Sequence, residues 1–279
     1  MANQRDKTTR TYRNKKIQGS VVQSEALDFL RSIPSSSSNI VFLDPPFNLG
    51  KVYSKRSKRL DKKPEGEYRQ WMESILTEST RVLKEGGTLY LYHLPLWAMR
   101  FGAFLEAFQE PRLDFKHWIA ISMTNGFVRG RRLYPAHYAL LMFTKGSPEH
   151  FKRPKIAPKL CRHCGEYVKD YGGYTHIIAE QGINLSDFWD DLSPVRHANR
   201  KHRAANELPS LLFERVFEIS GVSSGCYVDP FAGSGAGVIA AARAGLSFKA
   251  CDFLRANCQL IVKRLDMLRD AADLERTPK

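Results

Sequence analysis

Four consecutive residues, Asp44-Pro45-Pro46-Phe47, set a carboxylate, a free backbone carbonyl between the prolines and an aromatic ring side by side. An amine conjugated to an aromatic ring is a poor nucleophile, because its lone pair is delocalised into the ring. The Asp44 carboxylate and the Pro45 carbonyl can each accept one N–H of such an amine. This localises the lone pair on nitrogen and stabilises the positive charge that develops there during attack. Phe47 adds a face on which a flat ring can stack. Pro46 denies Pro45 the right-handed helical region, and neither proline has an N–H to donate, so the turn is stiff. A proline-capped strand end without chemistry would account for Pro-Pro alone. The acid before it and the aromatic after it favour a site.

A second chemical stretch lies far downstream, Cys226-Tyr-Val-Asp229-Pro230-Phe231-Ala-Gly233-Ser234-Gly235-Ala-Gly237. An apolar strand runs into a glycine-rich turn and then an Ala-rich helix over 238–244. Glycines let backbone approach a ligand closely, and a helix N-terminus offers free N–H groups. Asp252, about twenty residues on and at the end of the strand 247–251, is placed to bind ribose hydroxyls. Taken alone, a glycine-rich turn of this kind equally suits a nicotinamide dinucleotide enzyme.

The elements that must position these residues alternate between strand and helix. The run 39–43, after the serines Ser35 to Ser38, is apolar and rich in β-branched residues and predicts a buried parallel strand. A strand over 17–23 and a short helix over 25–31 precede it. Tyr68, Trp71, Met72, Ile75, Leu76 and Val82 recur at helical spacing as a core stripe, which Gly86-Gly87 ends. Strands follow over 88–92, 115–122 and 138–144, with a helix over 97–108 between the first two. Helices over 207–219 and 257–268 flank the glycine-rich stretch. The fold class is therefore α/β, a Rossmann-like parallel sheet with helices on both faces, and ligands belong at the carboxyl ends of its strands.

The chain has 279 residues, an ordinary 43% apolar content, and a formal net charge of +14. Such an excess points to a polyanionic partner. Residues 1–16 read as a basic flexible arm, and 17–279 as one catalytic domain. Lys51, Lys55, Arg56, Lys58 and Arg59 crowd into a loop just after the Asp-Pro-Pro-Phe turn, where they would grip a phosphate backbone. Between about 127 and 203 the periodicity weakens and prolines, histidines and basic residues accumulate. That stretch is too long for an idle loop, so it reads as an inserted recognition region. Within it Cys161-Arg-His-Cys164-Gly165 has zinc-knuckle spacing, but no second Cys-x-x-Cys exists, and reduced thiols with no metal are the expected state. Five cysteines, no N-terminal apolar segment and no run of membrane-spanning length predict a cytoplasmic protein with no membrane partner.

The combination of the two stretches is specific. Asp44-Pro45-Pro46-Phe47 resembles motif IV, and Asp229-Pro-Phe231-Ala-Gly233-Ser234-Gly235 motif I, of the S-adenosylmethionine-dependent DNA amino-methyltransferases. Catalytic motif first and cofactor motif last is similar to the circularly permuted β group, and the likeness runs over nearly all the chain from residue 17. It implies S-adenosylmethionine held by Asp229, Phe231, Gly233, Ser234, Gly235 and Asp252. Glu25 falls where the family has an acid, in Ser24-Glu25 rather than Gly-Asp, and Asn206 falls in motif X. The resemblance also implies double-stranded DNA as partner, an adenine swung out of the duplex to stack on Phe47, and Asp44, Pro45, Pro46 and Phe47 at the catalytic centre. A homodimer is left open. Serine is the commoner first residue of motif IV among cytosine-N4 enzymes, so Asp44 favours adenine-N6 over cytosine-N4. An RNA base or a glutamine amide are more distant targets, and a binding module with a vestigial site is at odds with two intact motifs.

Overall fold

The structure is a computed structural model that describes residues 9–14, 17–50, 52–54, 57–60, 62–123, 131, 133–148, 150–192 and 207–274. In its N-terminal part, strands β1 (Thr9–Asn14) and β2 (Ile17–Gln23) lead through helix α1 (Ala26–Arg31) to β3 (Ser38–Leu43). A hairpin of β4 (Val52–Ser54) and β5 (Ser57–Leu60) follows, then α2 (Glu65–Val82), β6 (Leu83–His93), α3 (Pro95–Glu106), β7 (Leu113–Ser122) and β8 (His137–Lys145). Short elements come next: β9 (Lys155–Ile156), α4 (Thr175–Gln181), β10 (Ile183–Asn184) and β11 (Phe188–Trp189). The chain closes with α5 (Ser210–Ser220), β12 (Cys226–Asp229), α6 (Ala236–Arg243), β13 (Ser247–Asp252) and α7 (Arg255–Leu274).

Nine strands form one sheet in the order β1-β2-β13-β12-β3-β6-β8-β7-β11. From β2 to β6 neighbouring strands are parallel, whereas β8 runs antiparallel to both β6 and β7. The last two long strands of the chain are thus inserted between β2 and β3, and strands distant in sequence end at one edge of the sheet. Side chains alternate across the pleat. Ile40 and Phe42 face a core shared with α5, α6 and α7, while Val41 and Leu43 face one shared with α1, α2 and α3. Both faces are covered, which is why β3 reads as a continuous apolar run rather than an alternating one.

The fold departs from the sequence expectations in four places. Residues 9–14, expected within a flexible arm, pair antiparallel with β2 from Thr9↔Val22 to Asn14↔Ile17 as an edge strand; the rest of the arm lies outside the described residues. The glycine pair 86–87 sits inside β6 rather than capping α2, with Gly86 at φ +74° and a register shift on the neighbouring strand β3. Helix α5 starts at Ser210, later than expected: Pro209 is its extended N-cap residue (ψ 147°), and a proline disfavours the helical region for the residue before it. The inserted region also needs a narrower definition. Its residues 137–145 are a central strand, and β11 returns to the sheet by pairing with β7, with Trp189 buried. What projects from the sheet is the surface segment 150–187, in which Pro154 alone is buried among the described residues. Just beyond it the chain is tied back by Arg215, which pairs with Asp191 through two hydrogen bonds and lies 5.3 Å from the centroid of the Trp189 ring.

Candidate active site

Five parallel strands deliver their carboxyl ends to one edge, and four of them end at or run into an acid: Glu25 beyond β2, Asp252 on β13, Asp229 on β12 and Asp44 after β3. Asp229 is buried and accepts hydrogen bonds from Tyr227 Oη (2.9 Å) and the Phe231 amide (3.0 Å). Burial, reinforced by the nearby charges of Asp44 and Asp252, pushes its carboxyl up to about 7. The negative field of Asp44 also reaches Tyr92 and Tyr227, both already raised by burial. These acids therefore share one electrostatic neighbourhood, as the two separate sequence motifs require.

The glycine-rich turn is held from three sides. Asp252 Oδ2 accepts the Gly233 amide (3.0 Å), and Oδ1 accepts from the Leu254 amide and Asn257 Nδ2. The Ala232 amide donates to the Cys251 carbonyl (3.0 Å). Arg264 of α7 donates to the Ser234 carbonyl (2.7 Å) and to buried Glu207 (3.1 Å), joining the turn to the segment that follows Asn206. Gly233 and Gly235 both have positive φ, +54° and +82°. A Cβ on Gly235 would stand 2.6 Å from Ile261 Cγ1 of α7, so this glycine is required by helix packing as well as by backbone geometry. The sequence alone suggested ligand approach as its purpose. Asp252 fixes the turn and also marks the strand end where ribose hydroxyls would be met. Carboxylates converging on a positive-φ turn at a helix N-terminus suit a ligand that carries hydroxyl and amino groups, such as S-adenosylmethionine.

Around Phe47 the structure builds an aromatic enclosure. Its ring is stacked on His93 (centroids 4.8 Å apart) and tilted against Tyr92 (6.0 Å) and Tyr138 (5.8 Å). Phe231 of the glycine-rich turn meets Trp71 edge-on at 5.9 Å, so α2 reaches both motifs. Asp44 and Phe47 are half-buried and Pro45 is buried. The sequence reading picked out the Pro45 carbonyl, but it is the next one, on Pro46, that accepts a hydrogen bond from Tyr68 Oη (2.6 Å). Tyr68, Tyr92, His93 and Tyr138 were missed as site residues. Tyr68 reads as core and is indeed buried. No local pattern marks the others; it is the register, with Leu43 opposite Leu91, that puts the next residues of β6 beside the turn.

Asn48, at φ +59°, closes the base of the basic loop: its side chain donates to the Lys63 carbonyl (3.0 Å) and accepts from the Lys63 amide (2.6 Å). Lys51, Lys55, Arg56 and Asn206 lie outside the described residues. Lys58 and Arg59 are on β5, opposite β4 in the hairpin. At the knuckle, the Gly165 amide donates to the Cys161 carbonyl (2.9 Å) and the Cys161 amide to that of Glu166 (2.7 Å). The backbone amides of Cys164 and His163 hold the Cys161 thiol below its ordinary range. Among the described residues no three His, Cys, Asp or Glu side chains gather as metal ligands. Nor is any described helix long and apolar enough to cross a membrane.

A family model described as DNA methylase, covering N6 and N4 methyltransferases, matches residues 38–263. The chain belongs to that family. Among curated proteins it is 36% identical to the type II methyltransferase M.BamHI of Bacillus amyloliquefaciens, over 88% of this chain and 57% of that protein. It is 28% identical to M.HpaI of Haemophilus parainfluenzae, over 77% of this chain and 64% of that one. The chain thus spans 57% and 64% of the length of these two relatives. The DNA adenine methyltransferase YhdJ of Escherichia coli strain K12 is 23% identical, over 88% of this chain and 82% of the relative. The fold is that of the M1.HpyAVI–SAM complex, with TM-score 0.59 and 14% identity over 88% of this chain and 98% of that one. It is also that of the cytosine-N4-specific PvuII DNA methyltransferase, with TM-score 0.62 and 15% identity over 91% of each chain.

Proposed function

We propose that this chain methylates an exocyclic amine of a DNA base, the N6 of adenine, with S-adenosylmethionine as donor. The observation that carries the reading is that Asp44 directly follows β3, the strand beside the one that ends in Asp229, so the Asp-Pro-Pro-Phe turn and the glycine-rich turn meet at one sheet edge. The names of the relatives support DNA as the substrate, and Asp44 and the adenine-specific relative favour adenine. When bound at the glycine-rich turn, S-adenosylmethionine supplies an electrophilic methyl group. Gly233, Ser234 and Gly235 would line it and Asp252 and Glu25 would accept its hydroxyl or amino protons, with Asp229, Phe231 and Asn206 completing the set. Asp44 and the Pro45 carbonyl accept the two N–H bonds of the amine and concentrate its lone pair. The enclosure of Phe47, Tyr92 and Tyr138 receives the flat ring once it leaves the duplex, recovering the few kcal/mol that unpairing costs. The basic loop 51–63 follows the catalytic turn directly and supplies phosphate contacts.

Asp44→Ala should slow methyl transfer by about 10²–10³, the scale of losing one preorganised partner of the developing charge. Its affinity for S-adenosylmethionine should survive, because that ligand rests on the other turn. The assay is nucleoside analysis of DNA after transfer of a labelled methyl group. Label in N4-methylcytosine would move the target to cytosine, and full activity of Asp44→Ala would reject the mechanism.

A further inference from the structure

We infer that Tyr68 and His93 are positioning residues for methyl transfer, forming a buried hydrogen-bond relay that holds the Pro46 carbonyl and so fixes how the catalytic turn presents the Pro45 carbonyl and the Phe47 ring. The inference rests on the proposed function and names what keeps its site in register.

The relay begins at the backbone between β6 and α3 and ends at the turn. The Leu94 amide donates to His93 Nδ1 at 2.7 Å. With Nδ1 accepting, the ring proton sits on Nε2, which lies 2.7 Å from Tyr68 Oη and donates to it. The Tyr68 hydroxyl proton is then directed at the Pro46 carbonyl, 2.6 Å away. Each group has one direction in which to donate, set by a backbone N–H at one end and a backbone C=O at the other. Both side chains are buried, Tyr68 with 1% exposure and His93 with none. Trp97 and Phe101 of α3, with centroids 6.2 and 5.8 Å from the imidazole, enclose it together with Phe47. That apolar box pushes His93 down to about 3, so the neutral tautomer that the relay needs persists at every working pH.

A Pro-Pro turn needs such an external hold. Neither proline has an N–H, so the turn lacks the donors by which ordinary turns fix their own carbonyls. Among the described residues no donor reaches the Pro45 carbonyl, whereas that of Pro46 is engaged. The imidazole contributes twice, since the face of its ring is also the platform under Phe47. One side chain thereby sets both the polar and the stacking half of the site.

The test compares single-turnover methyl transfer to unmodified plasmid DNA by Tyr68→Phe, His93→Phe and the double variant. Each keeps an aromatic ring and deletes relay hydrogen bonds. Each single variant should be slower by about ten-fold, the size of one net hydrogen bond lost at the reacting geometry. The double variant should be no slower than the singles, because the relay acts as a unit. Calorimetric affinity for S-adenosylmethionine should be unchanged, and the rate should show no ionisation of His93 between about pH 4.5 and 8.5, roughly two units either side of an ordinary imidazole. Met72→Ala, a buried position on the same helix, controls for lost packing and should keep the wild-type rate below its melting temperature. Equal slowing by Met72→Ala, additive losses in the double variant, or an ionisation in the wild-type rate profile that His93→Phe removes would each overturn the relay. Tyr68→Phe at full rate beside an inactive Asp44→Ala would reject the relay alone, whereas an active Asp44→Ala would reject the catalytic reading beneath it.

Discussion

Gly235 is the position where packing and ligand binding make opposed predictions, and Gly235→Ala separates them. The residue sits at φ +82°, where an L side chain costs roughly 1–2 kcal/mol. Its new Cβ would stand 2.6 Å from Ile261 Cγ1, 3.2 Å from Cγ2 and 3.3 Å from Cβ. Ile261 is fully buried on a helix that is itself held to the turn by Arg264, so it has little room to give. Overpacking of that kind costs about 1–3 kcal/mol. The two effects together predict a loss of about 2–5 kcal/mol in equilibrium urea unfolding, a large share of the stability of a typical domain. Ile261→Ala removes the clashing carbons and alone costs about 2–5 kcal/mol. If the clash is real, the double variant should be more stable than the sum of the single losses by about 1–3 kcal/mol. A Gly235→Ala protein within about 0.5 kcal/mol of wild type, yet unable to bind S-adenosylmethionine, would refute this reasoning and return the glycine to a role in ligand approach.

Two further outcomes follow from the charges. Asp229 has a folded-state value near 7 against an unfolded 3.8, so the folded protein holds the extra proton between those pH values. Stability from this group is fully present below pH 3.8 and is lost as pH rises through 7; Asp229→Asn should cancel that loss, its advantage over wild type growing from about 1–2 kcal/mol at pH 5 to about 4 kcal/mol at pH 8 in urea unfolding. Replacing Lys55, Arg56, Lys58 and Arg59 by Ala should weaken DNA binding on all sequences alike and flatten its salt dependence, measured by fluorescence anisotropy across a salt series. A change confined to one preferred sequence would mean that these residues read bases instead.

How much was legible beforehand differs between the two halves of the site. Asp44-Pro45-Pro46-Phe47 and the stretch from Asp229 to Gly235 announce themselves because strand, stiff turn and glycine-rich turn are local, contiguous patterns. The apolar runs of β3 and β12 and the stripe of α2 are equally local, since a two-residue or 3.6-residue period records which face is buried. The chain order of the motifs was visible too. Only the tertiary structure shows β12 and β13 slotted between β2 and β3, so that Asp44 and Asp229 become neighbours across 185 residues of chain (229 less 44). Tyr68 looked like core because by burial it is core; its hydroxyl gained a second role when β6 placed His93 within 2.7 Å. Gly235 carried a conformational signal in the sequence, but its Ile261 neighbour comes from a helix 26 positions later (261 less 235) that packs back over the turn. The edge strand β1 escaped notice because a strand with one partner needs no apolar alternation, and its basic residues read as solvated chain. Pairings of this kind depend on register and sheet order, which no local window of sequence contains.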